Sequence, residues 1–251
     1  MPFYDLTEEE RQKVVDQIYN DVFEDLKNNE INQISSYFSD QDTHIRKSAY
    51  LAVGKIYKEY PSYHHTIISC LSQLLQEEKV EVRQTTINAA GEIGMVDFDI
   101  IENILEQGLF DEHHQIRNAV IGSIKKMGQT NPKPTLAFAR RFLHHPDKEI
   151  RREICQGIEL RGRTHPEDIL PILKELEFDK TERVKNTLIH VIGQISYKKG
   201  CLEKVIEHLK TWENEKLVSK AINEILDVHI RYKDLSKKTF EEAKEYIENN
   251  W

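Results

Sequence analysis

Six arginines crowd one stretch of an acidic chain: Arg140, Arg141, Arg151, Arg152, Arg161 and Arg163. A guanidinium is a planar fork of donors that binds two oxygens at once, so arginines gathered on one face suit phosphates or carboxylates. Residues 140–163 hold seven Arg or Lys against four Asp or Glu, whereas the whole chain carries a formal charge of −8. These six are the candidate residues for binding nucleic acid or another partner, as a basic strip along one face. The sequence names no catalytic residue. It has no GxSxG, HExxH, P-loop or GxGxxG pattern, so hydrolase, zinc-protease and nucleotide chemistry have no support. Three His-His pairs (His64–His65, His113–His114, His144–His145) suggest metal at first sight. Adjacent helical residues diverge by about 100°, so one pair cannot chelate an ion, and no metal site is expected.

The three cysteines, Cys70, Cys155 and Cys201, are odd in number and widely spaced. They read as reduced, half-buried thiols in a cytoplasmic protein. No cofactor is expected. A charge of −8 argues against indiscriminate nucleic-acid binding over the whole surface, though not against a local basic face. No run of about 18 apolar residues is present, so no membrane span or membrane partner is expected. The opening "MPFYDLTEEERQKVVDQ" lacks a basic segment followed by an apolar one, and no signal peptide is expected.

The elements that must position the arginines show in a recurring signature: "HIRKSAYLAVGKI", "EVRQTTINAAGEI", "QIRNAVIGSIKKM", "EIRREICQGIELR", "RVKNTLIHVIGQI". The branched residue before each base is Ile45, Val82, Ile116, Ile150 and Val184, and a weaker sixth copy starts at Val218. The first spacing is 37 and the remaining four are 34. Apolar or small residues fall at offsets 0, +4, +8 and usually +11, one stripe of a helix. A second amphipathic helix precedes each signature, as in "HTIISCLSQLLQ" and "PEDILPILKELE", with Gly, Pro and Asp between. Each unit is a helical hairpin that buries its stripe only against neighbours, which yields an α-solenoid.

The fourth copy departs from the rule. Offset +11 is Ile56, Ile93, Met127 and Ile195 elsewhere and Arg161 here. A guanidinium cannot stay unpaired in a core, so Arg161 must turn out to a groove or meet an acid, with Glu153, Glu159 and Glu175 in reach. Offset +7 is Gly157, a residue costing about 1 kcal/mol inside a helix and tolerated where backbone or ligand comes close. Arg161 and Arg163 stand at the helix end, where cations favour the macrodipole.

This pattern resembles the HEAT-repeat family over residues 30–230. Asp40, Asp111 and Asp179 each stand six residues before Arg46, Arg117 and Lys185, as that family often has it. The resemblance implies an all-α, right-handed α-solenoid of about six HEAT-like hairpins, with these charges as a ladder between repeats. It implies one domain over 1–251 with polar capping helices at about 1–29 and 235–251. The run from "IRREICQGIELRGR" through "PILKELEFDKTERVKNTLIHVIGQISYKKGCLEKVIEHLKTW" also looks like the HEAT-like bacterial DNA alkylation repair superfamily, the AlkC/AlkD-like alkylpurine DNA glycosylases. Arg152, Gln156, Gly157, Arg161, Pro171, Leu173, Asp179, Val184, Lys185, Ile189, Ile192, Ile195, Leu209 and Trp212 carry that likeness. The Asn and Asp of the superfamily's catalytic segment align with Gly193 and Gln194, and an upstream Asn with His190. A glycosylase would therefore take its carboxylate from elsewhere, with Asp147, Glu153 and Glu159 as candidates.

The leading expectation is a non-enzymatic binding scaffold whose partner, protein or duplex DNA, docks on the concave face with the fourth repeat as contact centre. The second is a DNA alkylation repair-like protein binding duplex DNA through residues 140–163, with or without glycosylase activity.

Overall fold

The computed structural model describes residues 3–251; Met1 and Pro2, the first residues of the expected N-terminal cap, lie outside the described residues. All regular structure among the described residues is helical. The 34-residue spacing passes unbroken from Ile116 to Ile150, and the chain divides between them into two compact units, 1–131 and 132–251.

In the first unit α1 (Glu8–Asn28) precedes three hairpins. These are α2 (Asn32–Phe38) with α3 (Thr43–Glu59), α4 (His64–Leu74) with α5 (Val80–Gly94), and α6 (Glu102–Leu109) with α7 (His114–Thr130). The second unit holds α8 (Pro132–Phe142) with α9 (Lys148–Gly157) and α10 (Glu159–Gly162). It continues with α11 (Pro166–Lys174) and α12 (Glu182–Gln194), then α13 (Cys201–Leu209) and α14 (Glu215–Arg231), and ends with α15 (Phe240–Asn250). The terminal helices begin in capping boxes, Thr7 with Glu10 and Thr239 with Glu242, worth about 1 kcal/mol each.

Within each unit the second helix of a hairpin packs on the next second helix: α3 on α5 on α7, and α9 on α12 on α14. The stripes foreseen from the periodicity are the core: Val82, Ala90 and Ile93 on α5, and Val184, Leu188, Ile192 and Ile195 in and just after α12, are fully buried. Each large aliphatic side chain so buried contributes roughly 1.5–3 kcal/mol. Glycine at offset +9 lets successive second helices approach. A Cβ on Gly54 would lie 2.6 Å from Glu92 Cβ of α5, and one on Gly193 would lie 2.6 Å from Glu224 Cγ of α14. The three thiols are free and buried more deeply than foreseen, and burial pushes the Cys70 thiol up to about 12. Trp212 is core, its Nε1 donating to His208 Nδ1 at 2.9 Å.

The fourth repeat differs from the single helix that its sequence pattern suggests. Its second helix stops at Gly157 and restarts at Glu159. The break advances the register by one residue, so Gly162 rather than Arg161 enters the core; a Cβ there would lie 2.8 Å from Ile195 Cγ2. Arg161 is thereby turned away from the position that Ile56, Ile93 and Met127 occupy in their repeats.

Candidate partner-binding face

The six arginines divide among three environments in the second unit. Arg140, 65% exposed, pairs with Glu175 at 2.6 Å, and His144 meets the other oxygen of that carboxylate. Arg161 pairs at 2.6 Å with Asp168 of α11, not with any of the three glutamates expected. Arg141 lies over the rings of Phe138 and Phe142. Arg140 and Arg141 stand on α8, the first helix of their hairpin, while Arg161 on α10 reaches α11, the first helix of the next.

Arg152 and Arg163 lie on the side of the second helices. Arg152 donates to Glu149 at 2.9 Å and approaches Glu153 at 3.4 Å, while exposed Arg183 of α12 reaches Glu149 at 3.0 Å. Arg163 donates to Glu159 and, at 3.1 Å, to Gln194 Oε1. Glu153 and Glu159 are each only 3% exposed. Carboxylates so deep in the protein need such partners, because an unpaired buried charge costs several kcal/mol.

Arg151 is the ladder residue. Its Nε donates at 2.6 Å to Asp179, 28 residues ahead, and its Nη1 donates to the His145 and Pro146 carbonyls. Arg83 does the same in the first unit, with Asp111 at 2.9 Å and the carbonyls of Glu77 and Glu78. So the acid six residues before a base does not pair with that base. It accepts from the base of the preceding repeat and from the amide two residues on, as Asp179 does from Thr181. Burial alone would push the Asp179 carboxyl up; the Arg151 guanidinium and the Thr181 amide outweigh it and hold the group below the ordinary aspartate range. His145 replaces the acid in the fourth copy, where its Nδ1 accepts from the Asp147 amide at 3.1 Å. Asp147 in turn caps α9 rather than pairing with Arg151. The remaining histidine pairs also have local roles: His64 bonds the Tyr57 carbonyl and stacks on that ring, and His113 caps α7.

A different set of residues stands available for a ligand. Offsets +2 and +6 of each signature lie opposite the buried stripe, on the outward side of the second helices. In the first unit they are Lys47 and Leu51, Gln84 and Asn88, Asn118 and Gly122; in the second, Arg152 and Gln156, Asn186 and His190, Lys220 and Glu224. The carboxamides of Gln84, Asn88, Asn118, Gln156 and Asn186 are half-buried or exposed and bond no group of the protein among the described residues. One amide presents a donor and an acceptor together, as a peptide bond does. Sequence reasoning missed this row because it followed charge; laying the copies in register and reading the polar offsets would have found it.

No protein-family model matches the chain, and no curated protein matches it. Solved structures with similarity include an engineered protein with TM-score 0.38 and 13% identity, covering 79% of this chain and 97% of that one. A computationally designed armadillo repeat protein for modular peptide recognition gives TM-score 0.37 and 17% identity, covering 79% of this chain and 99% of that one. Another engineered protein gives TM-score 0.39 and 14% identity, covering 86% of this chain and 67% of that one.

Proposed function

We propose that the chain is a HEAT-type binding scaffold that holds an extended peptide or protein segment along the outward stripe of the second helices within a unit. The observation that supports this most is the row of unpartnered carboxamides at repeat-equivalent positions. An extended strand has unpaired N–H and C=O groups along its length, and amides at regular spacing satisfy both. In this reading the basic contact of the fourth repeat narrows to Arg152, which shares the stripe with Gln156. Arg140, Arg141, Arg151, Arg161 and Arg163 act in folding and packing.

A selection from a random peptide library on the immobilised chain tests this, followed by amide-exchange mapping of the bound state. Slowed exchange along α5 and α7, or along α9 and α12, is the expected result. Slowed exchange confined to α4, α6, α8 or α11 would overturn the reading. A second reading, a DNA alkylation repair-like protein, draws on Glu153 and Glu159, two interior carboxylates beside guanidinium groups in the region of that resemblance. It requires tight binding to duplex DNA that weakens steeply with salt.

A further inference from the structure

While the arginines of the second unit are matched by acids and rings, three lysines that gather at one cleft are not. Two Lys-Lys pairs, Lys198–Lys199 and Lys237–Lys238, stand 39 residues apart and converge on one cleft of about 280 Å3. The convergence is built by the backbone: the amide of Lys237 and the hydroxyl of Ser236 both donate to the Tyr197 carbonyl, at 2.9 and 3.3 Å, and Tyr232 stacks on Tyr197. Lys238 pairs with Glu203 at 3.2 Å. Lys198, Lys199 and Lys237 make no ion pair among the described residues.

The same cleft takes in the start of α13. Its N-cap is Gly200, at φ +75°, a left-handed conformation that glycine adopts without strain. Glycine has no side chain to accept from the first amides of the helix: that of Cys201 bonds the Lys198 carbonyl at 3.0 Å, and no side chain caps those of Leu202 and Glu203. Gly200, Leu202 and Glu203 line it.

Two residues that line the cleft carry a buried acceptor with no partner. His229 lines the cleft, is 1% exposed, and bonds the Ile225 carbonyl through Nδ1 at 2.8 Å; its Nε2 is buried with no partner. Oε2 of Glu203 is likewise buried with no partner. Burial and the nearby Lys238 charge lower the His229 pKa, more than the Ile225 carbonyl offsets, which favours the neutral ring. A neutral ring whose Nδ1–H donates to a carbonyl presents a lone pair at Nε2. The cleft thus combines cations and helix amides, which call for an oxyanion, with two buried acceptors, which call for a proton donor.

We propose that this cleft binds free hydrogen phosphate: its oxyanion on the α13 amides and on Lys198, Lys199 and Lys237, its P–OH donated to His229 Nε2 or Glu203 Oε2. Hydrogen phosphate carries both features in one small ion. Sulfate has the charge and geometry but no proton at neutral pH, so it leaves the acceptors unpaired. A phosphomonoester, whose second pKa is about 6, has mostly lost that proton at pH 7.5.

The test is isothermal titration of the full chain at pH 7.5 and low chloride with inorganic phosphate, sulfate and phosphoserine as separate ligands. The expected result is one phosphate per chain, at least about tenfold tighter than sulfate or phosphoserine. Lys198→Ala with Lys237→Ala, both at exposed positions, should weaken phosphate about tenfold or more without changing helicity. His229→Phe should bring phosphate down to the level of sulfate. Should the histidine variant fail to fold, the phosphate-to-sulfate ratio of the unmodified chain still decides. No phosphate binding, or equal affinity for phosphate and sulfate, would overturn the proposal, the latter leaving only attraction to lysines. The site is separate from the carboxamide stripe, so either result leaves that reading untouched.

Discussion

At the scale of single residues, arginine chemistry is decided by what each guanidinium meets. Arg151 has two carbonyls, a carboxylate and the Thr181 hydroxyl, and its side chain is 14% exposed against 7% for Asp179. Removing it leaves a mostly buried carboxylate without its cation, which costs about 3–5 kcal/mol in a fully buried pair; with the Thr181 amide still donating and some residual water contact, about 2–3 kcal/mol is expected for Arg151→Ala. Urea unfolding monitored by circular dichroism reads it, and a loss under about 0.5 kcal/mol would remove the ladder as a stabilising device. The sign with pH is fixed by the direction of the Asp179 shift. Its carboxyl sits below the ordinary 3.8 in the folded chain. Its contribution is therefore complete above that value and is lost as pH falls through the folded pKa. The variant's deficit relative to the parent should shrink only in that acid window and stay constant from pH 6 to 8.

At the scale of elements, the glycines of the second helices carry opposite expectations. Gly193→Ala should destabilise by about 1–3 kcal/mol, because its Cβ would meet the Glu224 carbonyl oxygen at 3.2 Å as well as the side chain, and backbone cannot step aside cheaply. Gly122→Ala on α7 meets nothing within 4 Å and should stabilise by about 0.5–1 kcal/mol through helix propensity. Thermal unfolding of the two variants separates them by sign. Most of this architecture was legible in advance. Helix pairs, stripes and caps follow from local spacing, and the stripe residues Val82, Ala90 and Ile93 are buried as that spacing requires. The break at Ile158 was not legible. The periodicity places Arg161 inward, and the cost of burying an unpaired guanidinium, which local spacing does not register, favours a restart one residue later. Nor was the partner of Arg161, since Asp168 lies across a turn whose path depends on that restart.

At the scale of the whole molecule, the charge counted along the sequence and the charge arranged in space differ. The local excess of bases over residues 140–163 is real as a count. In space, acids from outside that window, Asp168, Glu175 and Asp179, close on Arg161, Arg140 and Arg151. Net charge is −8 and its largest local positive run is thus matched by acids, so little counterion release is available to drive duplex binding. A labelled 20-base-pair duplex titrated in low salt should show no binding at micromolar concentrations. Tight binding that falls steeply between 50 and 200 mM salt would favour the DNA repair-like reading instead. The partner surface proposed above, the polar stripe, is a feature of repeat register and invisible to any tally of charge.

That stripe is tested most directly by affinity. Each carboxamide bonding a peptide should contribute about 1 kcal/mol, roughly fivefold in Kd. The measurement is the Kd of a selected peptide for Asn88→Ala and Gln156→Ala, with Arg140→Ala on the first-helix side as control, all verified as folded. A fivefold loss in whichever carboxamide variant lies in the footprint, with the control unchanged, is the predicted result. Unchanged affinity in both carboxamide variants, or a loss only in the arginine control, would contradict it.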